Sequence, residues 1–262
     1  MKYIDQLSRE LQLNELPKRI VSLVPSQTEL LVDLGLEDLI VGVTKFCVHP
    51  EHLRKEKTIV GGTKQVNFGK IKALQPDIIL CNKEENTREI VDGLISIAPI
   101  HLSDIFNLND CFELIEMYGN IFKVGDKASK IIADIKRERE LFQQKVIKKQ
   151  KPKVAYFIWK NPWMVTGSET FIDYMLNEAG FENVFKTHRR YPEITLDDPK
   201  LQSAELLLLS SEPFPFKEKH TSDLQSHFPD KEIIIVDGEL FSWYGSRLKI
   251  SYKYFLTLHK EL

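Results

Sequence analysis

The sequence predicts an α/β fold in two lobes, each a central parallel sheet flanked by helices, joined by one long backbone helix. Three observations predict it. The first is an internal repeat. Arg19-Ile-Val-Ser-Leu-Val-Pro-Ser26-Gln-Thr-Glu29 runs into Leu30-Leu-Val-Asp-Leu-Gly35. In the second half Lys153-Val-Ala-Tyr-Phe-Ile-Trp159 leads past Asn161-Pro162 to Thr166-Gly-Ser-Glu169 and Phe171-Ile-Asp-Tyr-Met-Leu-Asn-Glu-Ala-Gly180. The second is the strand Leu39-Ile-Val-Gly-Val43 after the first helix, which completes a parallel βαβ unit. The third is residues 126–150, with apolar side chains at Ala128, Ile131, Ile132, Ile135, Leu141, Phe142 and Val146 and neither Gly nor Pro until Pro152.

Taken in order, each copy of the repeat reads as a basic residue, a short apolar strand, a Pro-containing loop, a capping box and an amphipathic helix closed by Gly. The box is Ser26-x-x-Glu29 in the first copy and Thr166-x-x-Glu169 in the second. In each, the hydroxyl would take an orphan amide of the first turn while the Glu reaches back. Thr58-Ile-Val-Gly-Gly62 follows as a strand and turn, then a short helix over Phe68-Gly-Lys-Ile-Lys-Ala-Leu74, then the buried strand Pro76-Asp-Ile-Ile-Leu-Cys81. Ile194-Thr-Leu-Asp-Asp-Pro and Glu205-Leu-Leu-Leu-Leu-Ser210 echo these in the second half. An unbroken helix of about 25 residues would be roughly 38 Å long, a strut rather than a flexible linker. The boundaries follow: an N-terminal lobe over 1–124, the helix over 125–151 and a C-terminal lobe over 152–262. Two such lobes predict a ligand-binding cleft between them.

With 262 residues each lobe can bury its own core. A net charge of −2, with no basic face or tail, argues against nucleic acid as a partner. No run reaches the ~18–20 apolar residues of a membrane span. Lys2, Asp5, Arg9, Glu10 and Glu15 interrupt any signal-peptide core, so the chain as written reads as cytoplasmic unless a signal has been removed. Three cysteines, Cys47, Cys81 and Cys111, all in the first half and without a CxxC pair, predict no disulfide framework. The chain reads as a monomer.

Large flat side chains suit a macrocyclic ligand, and they gather at a few places. Phe46 follows the second strand. Trp159 and Trp163 flank a turn, and Phe241-Ser-Trp243-Tyr244-Gly-Ser-Arg247 adds a guanidinium suited to a carboxylate or phosphate, or else to capping the last helix. Ser26 and Thr166 open helices whose amides could hold an anionic group. Cys47, His49 and His52 have donors for a borderline metal, but Cys-x-His-x2-His fits no standard closed site, so no metal is expected. Lys83-Glu-Glu-Asn-Thr-Arg88 reads as a solvated loop. There is no G-x-S-x-G, P-loop, H-E-x-x-H or G-x-G-x-x-G, and Gly61-Gly62 alone makes no phosphate cradle, so no enzyme is expected.

Arg19-Ile-Val-Ser-Leu-Val-Pro-Ser-Gln-Thr-Glu-Leu, Val41-Gly-Val-Thr, His49-Pro50, Ala73-Leu-Gln-Pro-Asp-Ile-Ile-Leu, Asn161-Pro with Thr166-Gly-Ser-Glu, and Gly180-Phe-Glu-Asn-Val-Phe together resemble the helical-backbone (class III) periplasmic substrate-binding proteins of ABC importers. That family serves uptake of vitamin B12, ferric siderophores and haem, and its B12-binding members are nearest in pattern. The resemblance implies a corrinoid such as cobalamin, or a ferric siderophore or haem-like chelate, held non-covalently, with no covalent cofactor. It places the family's ligand-lining tyrosine on Phe46 and its late binding loop on residues 239–243, with its Phe kept at Phe241. The tryptophans of the B12 cleft fall on Thr63, Asn82 and Leu240. Of the two acids that dock such proteins on an ABC permease, one falls on Gly69 and is lost, and the other falls on Asp197, with Asp198 beside it. The family disulfide is absent. An importer component is the implied role; the alternatives are a cytosolic small-molecule carrier or sensor on the same fold, or an enzyme with an unrecognised cleft site that would use Cys47 with His49.

Overall fold

The computed structural model describes residues 1–146 and 151–262, so the last four residues of the expected helix, 147–150, lie outside the described residues. The chain divides into two compact units, Met1–Arg137 with Trp243–Leu248, and Glu138–Ser242 with Lys249–Leu262.

The first unit opens with an antiparallel hairpin of β1 (Lys2–Ile4) and β2 (Glu10–Gln12). Strands and helices then alternate: β3 (Ile20–Ser22), α1 (Pro25–Asp33), β4 (Ile40–Val43), α2 (Leu53–Glu56), β5 (Thr58–Ile59), α3 (Phe68–Ala73), β6 (Ile78–Asn82), α4 (Arg88–Leu94), β7 (Ile100–Ser103) and α5 (Leu108–Ile121). The five strands β3 to β7 form one parallel sheet in the order β5-β4-β3-β6-β7. All five residues of β6 are buried, as a parallel strand covered on both faces requires. The order reverses at β3. In open α/β sheets such a reversal opens a crevice at the carboxyl ends of the strands, and ligands bind there.

The second unit carries β8 (Lys153–Trp159), β9 (Trp163–Val165), α7 (Phe171–Glu178), β10 (Glu182–Asn183), β11 (Glu193–Ile194), α8 (Pro199–Ser203), β12 (Leu206–Ser210), α9 (Glu218–His227), β13 (Glu232–Val236), α10 (Glu239–Ser242) and α11 (Leu248–Glu261). Its sheet runs β11-β9-β8-β12-β13, with β10 also paired to β8. β8, β12 and β13 are parallel, whereas β9 returns antiparallel on β8. The repeat therefore holds at the sheet centre and breaks at β9. A turn of three residues between β8 and β9 can only make a hairpin, because a parallel return needs a crossover of a dozen residues or more.

The helix expected over 126–150 is α6 (Gly125–Val146), which begins in the first unit and ends in the second. Ala128, Ile131, Ile132, Ile135, Phe142 and Val146 are buried as the spacing predicts, but Leu141 stays 45% exposed. In the second unit Phe142 packs against Tyr252, Phe255 and His259 of α11. Beside it Arg139 donates to both carboxylate oxygens of Glu178 at 2.6 and 2.9 Å.

Both helix ends of the repeat match the sequence reading, and both helix starts depart from it. Gly35 (φ +73°) and Gly180 (φ +82°) close α1 and α7 in the left-handed region. Each is followed by a bond that spans six residues, Leu36 N to Leu31 O and Phe181 N to Leu176 O, both 2.9 Å. Neither predicted capping box forms. In α1 the first helical residue is Pro25, so Ser26 already lies inside the first turn, and the N-cap Val24 has no side-chain bond. In α7 the cap is Thr170, whose hydroxyl accepts from Asp173 N at 3.1 Å, while the Thr166 hydroxyl pairs with the Thr170 hydroxyl. Glu169 sits at φ 60° and pairs with Arg189.

Candidate ligand-binding site

The carboxyl edge of the first sheet is built by the loops after β3, β4, β5 and β6. Asn82 at the end of β6 shapes one of them: its side-chain carbonyl accepts from Glu84 N (2.9 Å) and Glu85 N (3.1 Å). Asn86 ties that loop to its neighbours, accepting from Asn82 N and donating to Thr63 O, both at 2.9 Å. Burial pushes the Glu85 carboxyl upward, against the pull of Lys64. After β4, the Thr44 hydroxyl accepts from Phe46 N at 3.3 Å and presents the Phe46 ring, 47% exposed, with Lys45 Nζ 5.0 Å from its centroid. The ring rests on Gly62, where a Cβ would stand 3.1 Å from it. Phe46 thus offers an aromatic face at the edge where α/β sheets bind ligands.

The segment after α10 does something different from what its composition suggests. Trp243, Tyr244 and Arg247 are all buried within the first unit. Gln27 donates to the Tyr244 hydroxyl (2.9 Å) and to Ser103 Oγ (2.6 Å) and accepts from Tyr118 (2.6 Å), and Asn82 also donates to Ser103 Oγ (3.0 Å). Burial holds both tyrosines above their ordinary range. Arg247 Nε donates to Glu29 at 2.8 Å and its guanidinium lies 4.9 Å from the centre of Trp243, which also meets His49 edge-on at 5.5 Å. Arg247, the residue just before α11 (Leu248–Glu261), anchors its segment to α1. These side chains form a buried polar network, and buried networks of this kind specify one arrangement when every member is bonded.

In the second unit Trp159, at the end of β8, is 39% exposed and meets Phe214 edge-on at 5.6 Å. Trp163 is half-buried, stacked on Phe216 at 6.2 Å with 7° between planes and covered by Lys160 Nζ at 5.2 Å. Phe241 is 0% exposed, packed between Tyr156 and Phe255 at 5.3 and 4.8 Å. Sequence reasoning did not single out the open pocket of about 550 Å³ at the carboxyl ends of β12 and β13, lined by Ser211, Glu212, Ile235, Val236, Asp237 and Glu239. Its floor is ordered by Gly238 N donating to Ser211 Oγ (2.9 Å), Glu239 N to Asp237 Oδ1 (3.0 Å) and Ser242 to Glu212 (2.6 Å). A signal for it existed: Ser-Ser-Glu and Asp-Gly-Glu each follow a four- or five-residue apolar strand, the position where an α/β sheet places its ligand loops.

The structure separates Cys47, His49 and His52. Cys47 Sγ is buried against the hydroxyls of Thr28 (3.1 Å) and Thr44 (3.4 Å), His49 lies on Trp243, and His52 bonds Glu37. Burial raises the thiols of Cys47, Cys81 and Cys111, the last two to about 12, which makes them inert rather than nucleophilic. Gly69 lies in the first turn of α3, Asp197 is exposed, and Asp198 caps α8 by accepting from Lys200 N at 2.9 Å. Among the described residues no helix is long and apolar enough to cross a membrane.

Known proteins share this architecture. An uncharacterized ABC transporter substrate-binding lipoprotein of Bacillus subtilis (strain 168) is 28% identical over 202 residues, which cover 73% of this chain. They cover 63% of that lipoprotein, so this chain spans less than two thirds of its length. The vitamin B12-binding protein of Vibrio parahaemolyticus serotype O3:K6 is 25% identical over 199 residues, 75% of this chain and 72% of that one. Among solved structures, the apo form of the periplasmic heme-binding protein RhuT from Roseiflexus sp. RS-1 superposes with a TM-score of 0.81 at 17% identity, covering 93% of this chain and 98% of that one, which establishes the shared fold. Residues 20–233 match the family described as periplasmic binding protein, a family of binding proteins rather than enzymes. The match takes in both sheets and the long helix, and the chain belongs to the periplasmic binding protein family.

Proposed function

We propose that this protein is the substrate-binding component of an ABC-type import system and that its ligand is a bulky, largely flat chelate of the corrinoid, haem or ferric siderophore class. The observation that carries the reading is the pair of aromatic faces left open where each sheet ends: Phe46 in the first unit and Trp159 in the second. Exposed aromatic side chains at a ligand-binding edge are costly to keep in water and gain most from a flat partner. The names of the relatives support the class, since they bind vitamin B12 or heme or serve ABC transport. Trp163, Phe241, Trp243, Tyr244 and Arg247 are each already engaged by protein groups within their own unit. Asp197 is the carboxylate we assign to permease docking, on the strength of its exposure.

Tryptophan-fluorescence titration with cyanocobalamin, haemin and a ferric siderophore, corrected for inner-filter absorption, tests the reading. Saturable quenching at micromolar or lower concentration by one of them is expected, weakened at least tenfold in Phe46→Ala or Trp159→Ala. No saturable response to any of the three overturns the ligand class.

A further inference from the structure

The amino edge of the first sheet carries a second cluster, on the side away from the loop of Phe46. The 3₁₀ turn Glu37–Leu39 leads directly into β4, and α2 leads into the neighbouring parallel strand β5. His52 is the N-cap of α2 and Glu56 its last residue, one turn further on, with Glu56 N bonded to His52 O at 3.2 Å. Leu53 between them is fully buried and pins the turn. His52 Nε2 lies 2.6 Å from a carboxylate oxygen of Glu37, and one donor atom from each of Glu37, His52 and Glu56 falls within 4.8 Å of the others. The Glu56 carboxylate has no hydrogen bond or ion pair among the described residues. Lys57 gives its ammonium to the Glu37 backbone carbonyl (2.9 Å) and leaves the carboxylate to the histidine.

From this geometry we infer a divalent-metal site formed by Glu37, His52 and Glu56, with zinc as the fitting ion. Two carboxylates and one neutral imidazole bring a charge of −2 and the nitrogen and oxygen donors that zinc accepts. Metal–ligand bonds of about 2.0–2.2 Å put donor atoms about 3–3.5 Å apart. The cluster reaches that spacing by small rotations of partly exposed side chains, and water completes the coordination. The ion would brace the turn before β4 against α2. This is independent of the ligand proposed above, which lies at the opposite edge of the sheet.

Calorimetric titration of the tag-free full chain with zinc chloride in metal-free buffer near neutral pH tests the site, with thermal unfolding as a second readout. One tight site per chain is expected, with His52→Ala and Glu56→Gln each weakening it at least tenfold and abolishing the zinc-dependent rise in Tm. Both side chains are exposed, so circular dichroism should show each variant folded. A wild-type chain with no saturable site, or either variant titrating like the wild type, overturns the inference.

Discussion

Arg247 donates to Glu29 at 2.8 Å across 218 positions of sequence, so that a segment near the C-terminus is fastened to the first helix of the first unit. Both side chains are largely out of water, at 8% and 15% exposure. Burial pushes the Glu29 carboxyl above its ordinary value, and Arg247 only partly offsets it. Removing one partner leaves an uncompensated buried charge. Arg247→Ala is therefore expected to destabilise the chain by about 3 kcal/mol, read as a lowered urea midpoint at unchanged m. A paired Glu29→Met and Arg247→Met variant should recover most of that loss.

His101, in β7, is buried with neither ring nitrogen hydrogen-bonded among the described residues, and it meets Tyr118 edge-on at 5.2 Å. Desolvation lowers its pKa from 6.5 to about 4, with Asp5 pulling up and Arg9 down. The folded state thus binds fewer protons than the unfolded state between those values. Stability should be complete above pH 6.5 and fall by about 3 kcal/mol as pH drops to 4. His101→Leu should flatten this acid limb in urea titrations from pH 4 to 7 and leave neutral-pH stability equal or higher, since no hydrogen bond is lost.

Aromatic residues of the candidate site should split into two groups. Phe46→Ala is expected to stay within ~0.5 kcal/mol of the wild type in stability while weakening ligand binding. Phe241→Ala should cost about 3–5 kcal/mol, because the ring fills a closed space between Tyr156 and Phe255. Urea melts beside the fluorescence titration distinguish them.

The thiols supply a simple check on the absence of a nucleophile. Cys47, Cys81 and Cys111 are buried, with burial pushing each thiol above its ordinary value. Iodoacetamide at pH 8 should modify none of them in the native chain and all three in urea, counted by mass spectrometry. Rapid native labelling of Cys47 would instead mark it as a reactive thiol.

Gly35 and Gly180 end the two related helices with positive φ. Gly35→Ala and Gly180→Ala should each lower stability by about 1–2 kcal/mol, measured by thermal unfolding. An alanine of equal stability at either position would mean that the helix end relaxes out of the left-handed region.

Much of the architecture was legible because it rests on local rules. Apolar runs such as Leu206-Leu-Leu-Leu-Ser210, the periodicity of α6 and the glycines that close α1 and α7 are set by burial and φ preference within a few residues of each position. The helix starts were misread for a reason equally local. Ser26-x-x-Glu29 has the residues of a capping box, but Pro25 is preorganised for the first helical position and moves the cap two residues earlier, from Ser26 to Val24.

By itself, then, the sequence determined two α/β units, the helix that runs from one into the other, the family and the aromatic character of the candidate residues. Only the tertiary structure decided which aromatic rings remain open. Trp163 and Phe241 are consumed by packing, Trp243, Tyr244 and Arg247 by a buried network, and Phe46 and Trp159 by neither. The same holds for His52, which sequence groups with Cys47 and His49 and the fold places with Glu37 and Glu56. The physical reason is that a side chain's exposure and partners are set by contacts between residues tens to hundreds of positions apart. Periodicity reports only which side of its own element a residue occupies.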